Sequence, residues 1–591
     1  MRKSLFSAAA VSALLFTIAS NAAFAQVAPP AAAQLAAPTR EEIDRRPQAT
    51  APRSARLTVD GDIERAPCAL DSPAYADIKV TITEAQFNNL QGVSPEELKA
   101  SYASLLGPDR PISTICTIRD AAATELRRKG YLAAVQVPVQ RIENGVVRFE
   151  VLFAKIVAIR VRGDAGKAEG LLAGYLKHLT EEKVFNRFVA ERYLLLSRDL
   201  PGYEVRLALK PAGGAPGELV GEVSVTRSPI DVSASLQNFS SRSSGRWTGA
   251  VAAQAYGLLG GDRLSASLSS TTDFREQQIA QIGYDTRLGS EGLTWSGNFT
   301  YAWSKPDLGA AGAAGVALKA RTLFATGELR YPIVRSQALS IVGAGGMDYL
   351  NQTVAFYAAG TKIDLSRDHL RVGFLRLDMD AADIAEQRVP MWRASGSVEL
   401  RKGLDILDAS PRIPPATPLS VIGPSRREGD PTSTLVRASA SVELNLGKGF
   451  WIAATPRAQY AFDPLFSFEE MSAGNYSIGR GYDPGVITGD SGVGSGFELR
   501  MPRLAPLPKV NLSLQPFAFT DVMWVWNRGI PLPANPDFIA SVGAGVRAML
   551  NNRFRIDGTI AVPLKAGGLQ TRNRDPRFLV SLSSKLWPWD N

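Results

Sequence analysis

Residues whose side chains could catalyse a reaction are few in this chain and lie far apart. Gly489-Asp490-Ser491-Gly492 places a serine in a setting typical of a serine-protease nucleophile. Such a serine needs a general base and an orienting acid in the same site. The two histidines, His178 and His369, fall in different parts of the chain, and the glycine-rich surroundings of the serine favour a loop that returns to a strand. We therefore predict that the protein is not an enzyme.

Metal and cofactor sites are also disfavoured by the composition. Two histidines and two cysteines among 591 residues are too few for a multi-histidine zinc site or a cysteine-rich metal module. The glycine run 343–346 lacks the strand-to-helix setting of a nucleotide site. The net charge of +9, from 66 basic and 57 acidic residues, is spread without a basic block and does not favour nucleic acid. We expect no metal and no cofactor.

The two cysteines have one other use, which is a disulfide. Cys68 and Cys116 lie 48 positions apart in the N-terminal part of the chain. An oxidising compartment would permit a bridge between them. Two free buried thiols are the alternative, and the residues alone leave both open.

The N-terminus has the three parts of a secretory signal. Arg2 and Lys3 precede the apolar stretch 5–18, and Ala23-Phe24-Ala25 is a small-residue cleavage site, so residues 1–25 are expected to be a signal peptide. A retained membrane anchor is the alternative, although the apolar stretch is shorter than the ~20 residues that span a bilayer. No apolar run of 18 residues follows. The mature chain is then either an exported soluble protein or a β-barrel.

Residues 26–73 are rich in Ala, Pro and Arg and indicate a linker. Within it, Thr39 followed by Glu42 is a helix-capping pattern, so a short helix is expected over 39–46.

Two small α+β modules are predicted next, at 74–154 and 155–227, each with the order β-α-α-β-β. Proline and a serine cap start a helix at Ser94, Gly130 ends the next helix, and Asn144-Gly145 is a tight turn between strands. The elements expected in the first module are strand 76–82, helices from 94 and over 113–129, and strands 131–139 and 146–153. Those expected in the second are strand 156–161, helices 163–176 and 184–198, and strands 203–209 and 218–226. A single α+β domain is the alternative.

From residue 228 to the end, helix signals give way to strict alternation. In 436–446 every second residue is apolar and the residues between are polar or charged, and 392–401 shows the same pattern. Strands of about ten residues match tilted membrane strands, and a sheet in lipid must close because unpaired edges are costly there. At roughly 22 residues per strand and connection, this region gives about 16 antiparallel strands around a polar lumen. The polar, proline-rich insert 402–431 is expected to be an extracellular loop.

This order of modules and barrel resembles the TpsB family, the outer-membrane transporters of two-partner secretion of the haemolysin and filamentous-haemagglutinin type. Their periplasmic modules are called POTRA domains. The stretch from Arg128-Lys129-Gly130-Tyr131 to Gly145, with Pro138 and Gln140 between, is similar to the family's first-module motif. The resemblance implies that Gly130, Tyr131, Pro138, Gln140 and Gly145 take part in substrate recognition.

A second stretch of the resemblance lies in the barrel region. Ser477-Ile478-Gly479-Arg480-Gly481-Tyr482 resembles the family's V-R-G-Y motif, which lies at the tip of a sixth extracellular loop that folds into the barrel. Phe519-Thr520-Asp521-Val522-Met523 resembles its F-x-D-x-G strand motif, with Met523 at the glycine position. The resemblance implies that Arg480 pairs with Asp521 and that Gly481, Tyr482 and Phe519 belong to the same gating site. Independent lumen charges are the alternative.

The function implied by the resemblance is export of a protein without ATP. The partner would be a secreted, TpsA-like exoprotein with an N-terminal secretion domain, and the barrel would contact outer-membrane lipid, with the modules in the periplasm. The short helix at 39–46 would plug the pore. An insertase for other barrel proteins, a passive porin-like channel and a soluble exported β-rich protein are the rival hypotheses.

Overall fold

The structure is a computed structural model that describes residues 37–43, 68–383, 389–414, 417–418, 421–529, 537–567 and 574–588. The predicted signal peptide and most of the predicted linker lie outside the described residues. Within the described residues, no helix has the length and apolar character needed to cross a membrane.

The first module is built around a three-stranded sheet with two helices on it. The sheet order is β2-β5-β4, with β2 parallel and β4 antiparallel to the central strand. A separate ribbon of two strands, β1 and β3, was not expected. The β3 segment contains two prolines, which favour a turn, and it becomes a strand only because it pairs with the distant β1. The elements are β1 Lys79–Ile82, β2 Glu84–Asn88, α2 Pro95–Tyr102, β3 Gly107–Pro111, α3 Thr114–Arg128, β4 Ala133–Gln136 and β5 Val146–Phe153.

Local sequence signals fix the ends of these helices. Ser94 accepts a hydrogen bond from the Glu97 backbone N–H, and the Glu97 carboxylate accepts one from the Ser94 backbone, which completes a capping box. After α3 the chain turns at Gly130, whose φ of +91° favours glycine. A disulfide joins Cys68 to Cys116 on α3 and attaches the segment before β1 to the module core.

The second module repeats the arrangement with the sheet order β6-β8-β7. Its first helix begins at Glu169, later than expected, because Gly163 and Gly166 both have positive φ and the chain first makes a short 3-10 turn. The elements are β6 Lys155–Arg162, α4 Glu169–Glu181, α5 Arg187–Arg198, β7 Tyr203–Pro211 and β8 Glu218–Arg227.

Short polar contacts join the second module to one end of the barrel. Arg335, the last residue of the barrel strand Ala317–Arg335, makes a bidentate ion pair with Asp199, with both distances 2.7 Å. Tyr193 donates to Glu291 in a barrel turn at 3.0 Å, and Lys167 donates to the Leu258 carbonyl at 2.6 Å. These contacts define a module end and a far end of the barrel.

The remaining chain forms a closed antiparallel barrel of 16 strands. β27 pairs with β9 to close it, β22 pairs with β24, and the short β23, which also pairs with β24, is additional to the sixteen. Two short helical turns, α6 Ala310–Ala313 and a 3-10 turn at Pro508–Val510, interrupt the region expected to be free of helices. The strands are β9 Ile230–Gln237, β10 Thr248–Tyr256, β11 Arg263–Thr271, β12 Gln277–Leu288, β13 Leu293–Ser304, β14 Ala317–Arg335, β15 Leu339–Ala358, β16 Thr361–Ala382, β17 Trp392–Gly403, β18 Thr434–Gly447, β19 Phe450–Ala461, β22 Ser491–Arg500, β23 Leu504–Leu507, β24 Leu512–Trp526, β25 Asp537–Leu550, β26 Phe554–Pro563 and β27 Arg577–Trp587.

Each barrel strand has a polar lumen face and an apolar outer face, as the alternation predicts. In β17, Glu399 and Arg401 are buried in the lumen, whereas Val398 and Leu400 are exposed on the outside. Two further segments lie in the lumen. They are the helix α1 Arg40–Ile43 and the sixth loop at the far end (residues 462–490), which contains a small hairpin of β20 Met471–Ala473 and β21 Ile487–Gly489.

Candidate gating site in the barrel lumen

The sixth loop occupies the lumen through side-chain contacts. Its strands β20 and β21 pair with each other and, in the described part of the chain, with no barrel strand. Met471, Ile478 and Tyr482 of the loop pack against Met523 and Ile539 of the barrel wall. The loop is therefore not a part of the barrel sheet.

Arg480 joins the loop to the wall. Its guanidinium donates to Asp521 on β24 at 2.7 and 3.1 Å, and its backbone N–H donates to the same carboxylate at 2.9 Å. The guanidinium also lies 3.5 Å from the ring centre of Phe519, a cation–π contact. Asp521 is 2 % exposed, so the pair is shielded from solvent on the carboxylate side. The structure thus brings together the arginine and the aspartate that the two motifs contain.

A chain of charges continues from this pair along the wall. Arg480 also contacts Glu498 on β22 at 3.1 Å. Glu498 accepts from Arg547 at 2.7 and 2.9 Å and from Arg500 at 2.7 Å, and Arg500 in turn pairs with Glu443. The loop arginine is therefore one member of a network that spans several strands.

The two residues after Arg480 fit closely against the wall. A Cβ on Gly481 would lie 2.8 Å from the Ser541 Cβ and 3.0 Å from the Pro563 nitrogen, so a side chain has no room there. The fully buried Tyr482 places its hydroxyl 2.8 Å from the Ala540 carbonyl and 2.7 Å from the Lys565 carbonyl, and it accepts a hydrogen bond from the Lys565 N–H. These contacts account for the small and the aromatic residue at the two positions.

The methionine at the motif's glycine position has a structural role. Met523 is completely buried and belongs to the apolar cluster under the loop. On the neighbouring strand, a Cβ at Gly494 would lie 2.9 Å from the Met523 Cβ, and one at Gly492 would lie 2.9 Å from the Met471 sulfur. Glycines across the strand pair therefore make room for the larger side chain.

The short helix expected in the linker lies in the lumen as α1. Arg40 donates to Glu469 of the sixth loop at 2.9 Å and to Asp348 on β15 at 3.2 Å. Arg401 on β17 bridges the same two carboxylates at 2.8 to 3.0 Å. One helix, one loop and two strands thus meet at a shared set of buried charges, which sequence reasoning missed. The charged residues on the inward faces of the alternating strands are the sequence feature that could have indicated this charge cluster.

A second anchor that sequence reasoning missed lies at the base of the loop. Arg426 of the fifth loop (residues 404–433) donates to Asp490 at 2.5 Å and to Glu470 at 2.6 Å. Asp490 also accepts backbone N–H groups of Leu465 and Arg528. The Gly-Asp-Ser-Gly segment is therefore a hydrogen-bonded loop base, and Ser491 begins strand β22.

The residues of the first-module motif separate into two places. Gly130 and Tyr131 lie at the junction of the modules, where the Gly130 carbonyl accepts from Arg187 at 2.8 Å. A Cβ on Gly130 would lie 2.5 Å from Phe188.

The other three motif residues, Pro138, Gln140 and Gly145, lie around the start of β5. Gln140 binds both the N–H and the carbonyl of Arg148, each at 2.7 Å, and Val139 beside it is fully exposed. Gly145 has a φ of +75° in the turn before β5.

A closed barrel with an inserted loop, a lumen helix and two N-terminal POTRA-like modules defines a class of outer-membrane transporter. Residues 222–548 match the model of the haemolysin secretion/activation protein family ShlB/FhaC/HecB, and the chain belongs to this family. The barrel lies in the bacterial outer membrane with the modules in the periplasm, and the protein is a pore of two-partner secretion whose partner is a secreted exoprotein. Family members are transport channels.

Solved structures share the fold over most of the chain. CdiB from Escherichia coli is 17 % identical, with a TM-score of 0.71, over 90 % of this chain and 94 % of that one. CdiB from Acinetobacter baumannii is 18 % identical, with a TM-score of 0.64, over the same shares. No curated protein matches the chain in sequence.

Proposed function

We propose that the two modules capture an unfolded exoprotein through its N-terminal secretion domain and that the barrel passes it outward, extended and without ATP, once the lumen is cleared. The observation that supports this most directly is the way the lumen is filled. The sixth loop and α1 are held by side chains, and the hairpin in the loop pairs with no described barrel strand. The sixth loop and α1 can therefore leave the lumen without breaking hydrogen bonds between barrel strands.

Charged contacts suit a plug that must be released. An ion pair that separates in a wet lumen exposes two groups that water solvates well, so release costs less than exposure of an equally large apolar surface. When the helix and the loop depart, Asp348 loses Arg40 but keeps its ion pair with Arg401. Arg401 loses Glu469 but keeps Asp348 and Glu399, so each of these wall charges retains a partner in the open pore.

Capture in the periplasm is assigned to residues 74–227 and gating to the loop-to-wall pair. In the first module, β4 is an edge strand that pairs only with β5 among the described strands, and the exposed Val139 follows it closely in the chain. A strand of the exoprotein could add to the outer edge of β4 and place an apolar residue against Val139. Gly130 and Tyr131 then serve recognition indirectly, by fixing the angle between the modules.

The proposal is tested by comparing secreted and outer-membrane proteomes of cells with and without the protein. A dedicated transporter predicts loss of one or two large exoproteins from the medium with the membrane profile intact. A broad fall in barrel proteins would indicate the insertase hypothesis, and no change in either would favour a passive channel.

A further inference from the structure

Strands β14, β15 and β16 are 19, 20 and 22 residues long, well above the roughly ten that cross a bilayer. Their outer faces change character along this length. Toward the module end they expose apolar residues such as Leu329, Ile333, Leu375 and Leu377. Toward the far end the same faces expose basic residues. The change marks the level at which the strands leave the apolar part of the membrane on the extracellular side.

The basic residues form one patch that faces away from the lumen. Arg321 on β14 is in register with Thr353 on β15, which is in register with Arg367 on β16. Neighbouring strands are about 4.8 Å apart, so the two arginines originate about 10 Å from each other. Lys319 and Lys362 lie one step further out and flank Tyr357, over whose ring the Lys319 ammonium sits at 4.3 Å.

The described residues neutralise the cations of this patch only in part. Asp364 contacts two of the four, at 2.7 Å from Lys362 and 3.6 Å from Arg367. Lys319 and Arg321 form no ion pair with a described residue. The side chains of Arg367 and Lys362 are 52 % and 54 % exposed. Trp303, in register with Arg321, is also exposed and supplies an aromatic group at the membrane boundary.

We propose that this patch, formed by Lys319, Arg321, Lys362 and Arg367, binds the phosphate groups of the phosphorylated glycolipid in the outer leaflet. Below Arg321, the outward face of β14 continues with the apolar residues Leu323, Ala325 and Leu329, so a ligand that combines phosphates with acyl chains contacts both the patch and this apolar surface. Spaced arginines match phosphates through charge-assisted hydrogen bonds. This inference is independent of the export function, because it concerns the outer surface and requires only the outer-membrane location.

The test uses the full-length protein in detergent with phosphorylated lipid A as the probe. Native mass spectrometry counts bound lipid, and the unfolding temperature reports its effect. We expect phosphorylated lipid A to bind and to raise the unfolding temperature, and the triple variant Lys319→Gln, Arg321→Gln, Arg367→Gln to bind it about tenfold more weakly or worse. A matched control removes three exposed charges at the module end, as Arg503→Gln, Lys448→Gln and Lys509→Gln, and should bind like wild type.

Three further arms separate the sources of binding. The variant Arg321→Lys, Arg367→Lys keeps the charge and should retain most of the binding, which would show that charge at these positions is what the lipid requires. An unfolding temperature of the lipid-free triple variant equal to that of the lipid-free wild type shows that the triple variant is folded. Dephosphorylated lipid A and inorganic phosphate should each give little stabilisation. Equal binding of dephosphorylated lipid A, equal stabilisation by free phosphate, or full binding by the triple variant would each overturn the proposal.

Discussion

Arg40 of the lumen helix and Glu469 of the sixth loop form a 2.9 Å ion pair although 429 positions separate them in the chain. The same glutamate also binds Arg401 of the wall, so the helix and the loop share one anchor. Displacement of either segment changes the charge environment of the other. We therefore expect the positions of the two inserts to be energetically coupled.

Removal of the helix charge should loosen the plug. Arg40→Ala deletes contacts with Glu469 and Asp348, and each charged hydrogen bond contributes roughly 1.5–3 kcal/mol. We expect more frequent and larger channel openings in planar lipid bilayers. Arg457→Ala is the matched control, because Arg457 lies in the wall and forms no ion pair with a described residue. Openings equal to wild type in Arg40→Ala would contradict the coupling.

Substitutions of Arg480 and of Asp521, the two partners of the loop-to-wall pair, should loosen the sixth loop to different extents. Asp521→Asn leaves Arg480 its contact with Glu498, whereas Arg480→Ala removes both contacts and the cation–π contact with Phe519. We expect protease cleavage within the sixth loop of purified protein to increase more in Arg480→Ala than in Asp521→Asn. The reverse order would show that Asp521 acts through a different partner.

The methionine under the loop should matter for barrel stability. Met523→Ala leaves a cavity in a completely buried cluster, and such truncations cost about 2–5 kcal/mol. The temperature at which the folded barrel converts to the slower-migrating unfolded form in electrophoresis should fall. Met501→Ala, at an exposed position after β22, should leave it unchanged. An unchanged temperature for Met523→Ala would show that the site collapses without loss.

The disulfide should stabilise the first module alone. A bridge over 48 residues contributes about 4 kcal/mol in the chain-entropy model. Cys68→Ser with Cys116→Ser should therefore speed limited proteolysis within the first module of the full chain and leave the barrel resistant. Each single serine variant should match the double one, because one thiol cannot form the bridge. Equal cleavage rates in oxidised and reduced protein would argue against this role.

Much of the fold follows from local pattern. The period-two alternation predicts the barrel and its polar lumen, and the residues at Ser94 and Gly130 predict helix ends that the structure contains. The β1–β3 ribbon escaped prediction because its stability comes from pairing across the module and not from its own residues. The late start of α4 escaped because the conformation of Gly163 and Gly166 becomes evident only in three dimensions.

The candidate gating site also contains some residues that the sequence predicts and others that it does not. The resemblance of two motifs to those of the family predicts the ion pair between Arg480 and Asp521, although no local sequence pattern indicates it. Arg40, Glu469 and Arg426 were missed because their partners come from distant loops and strands, and inward-facing charges alone do not indicate which acid meets which base. In the sequence Asp490 stands out only as the neighbour of Ser491, whereas in the structure it accepts hydrogen bonds at the base of the sixth loop.

The most direct test is the amount of exoprotein released by cells that carry Arg480→Ala, compared with wild type and with Arg457→Ala at equal levels of assembled barrel. We expect a strong fall in release for Arg480→Ala and near-normal release for Arg457→Ala. Arg480 sets the position of the sixth loop against β24, and a loop without this contact would obstruct the path of the exoprotein. Normal release by Arg480→Ala would contradict the claim that this loop-to-wall contact controls the pore.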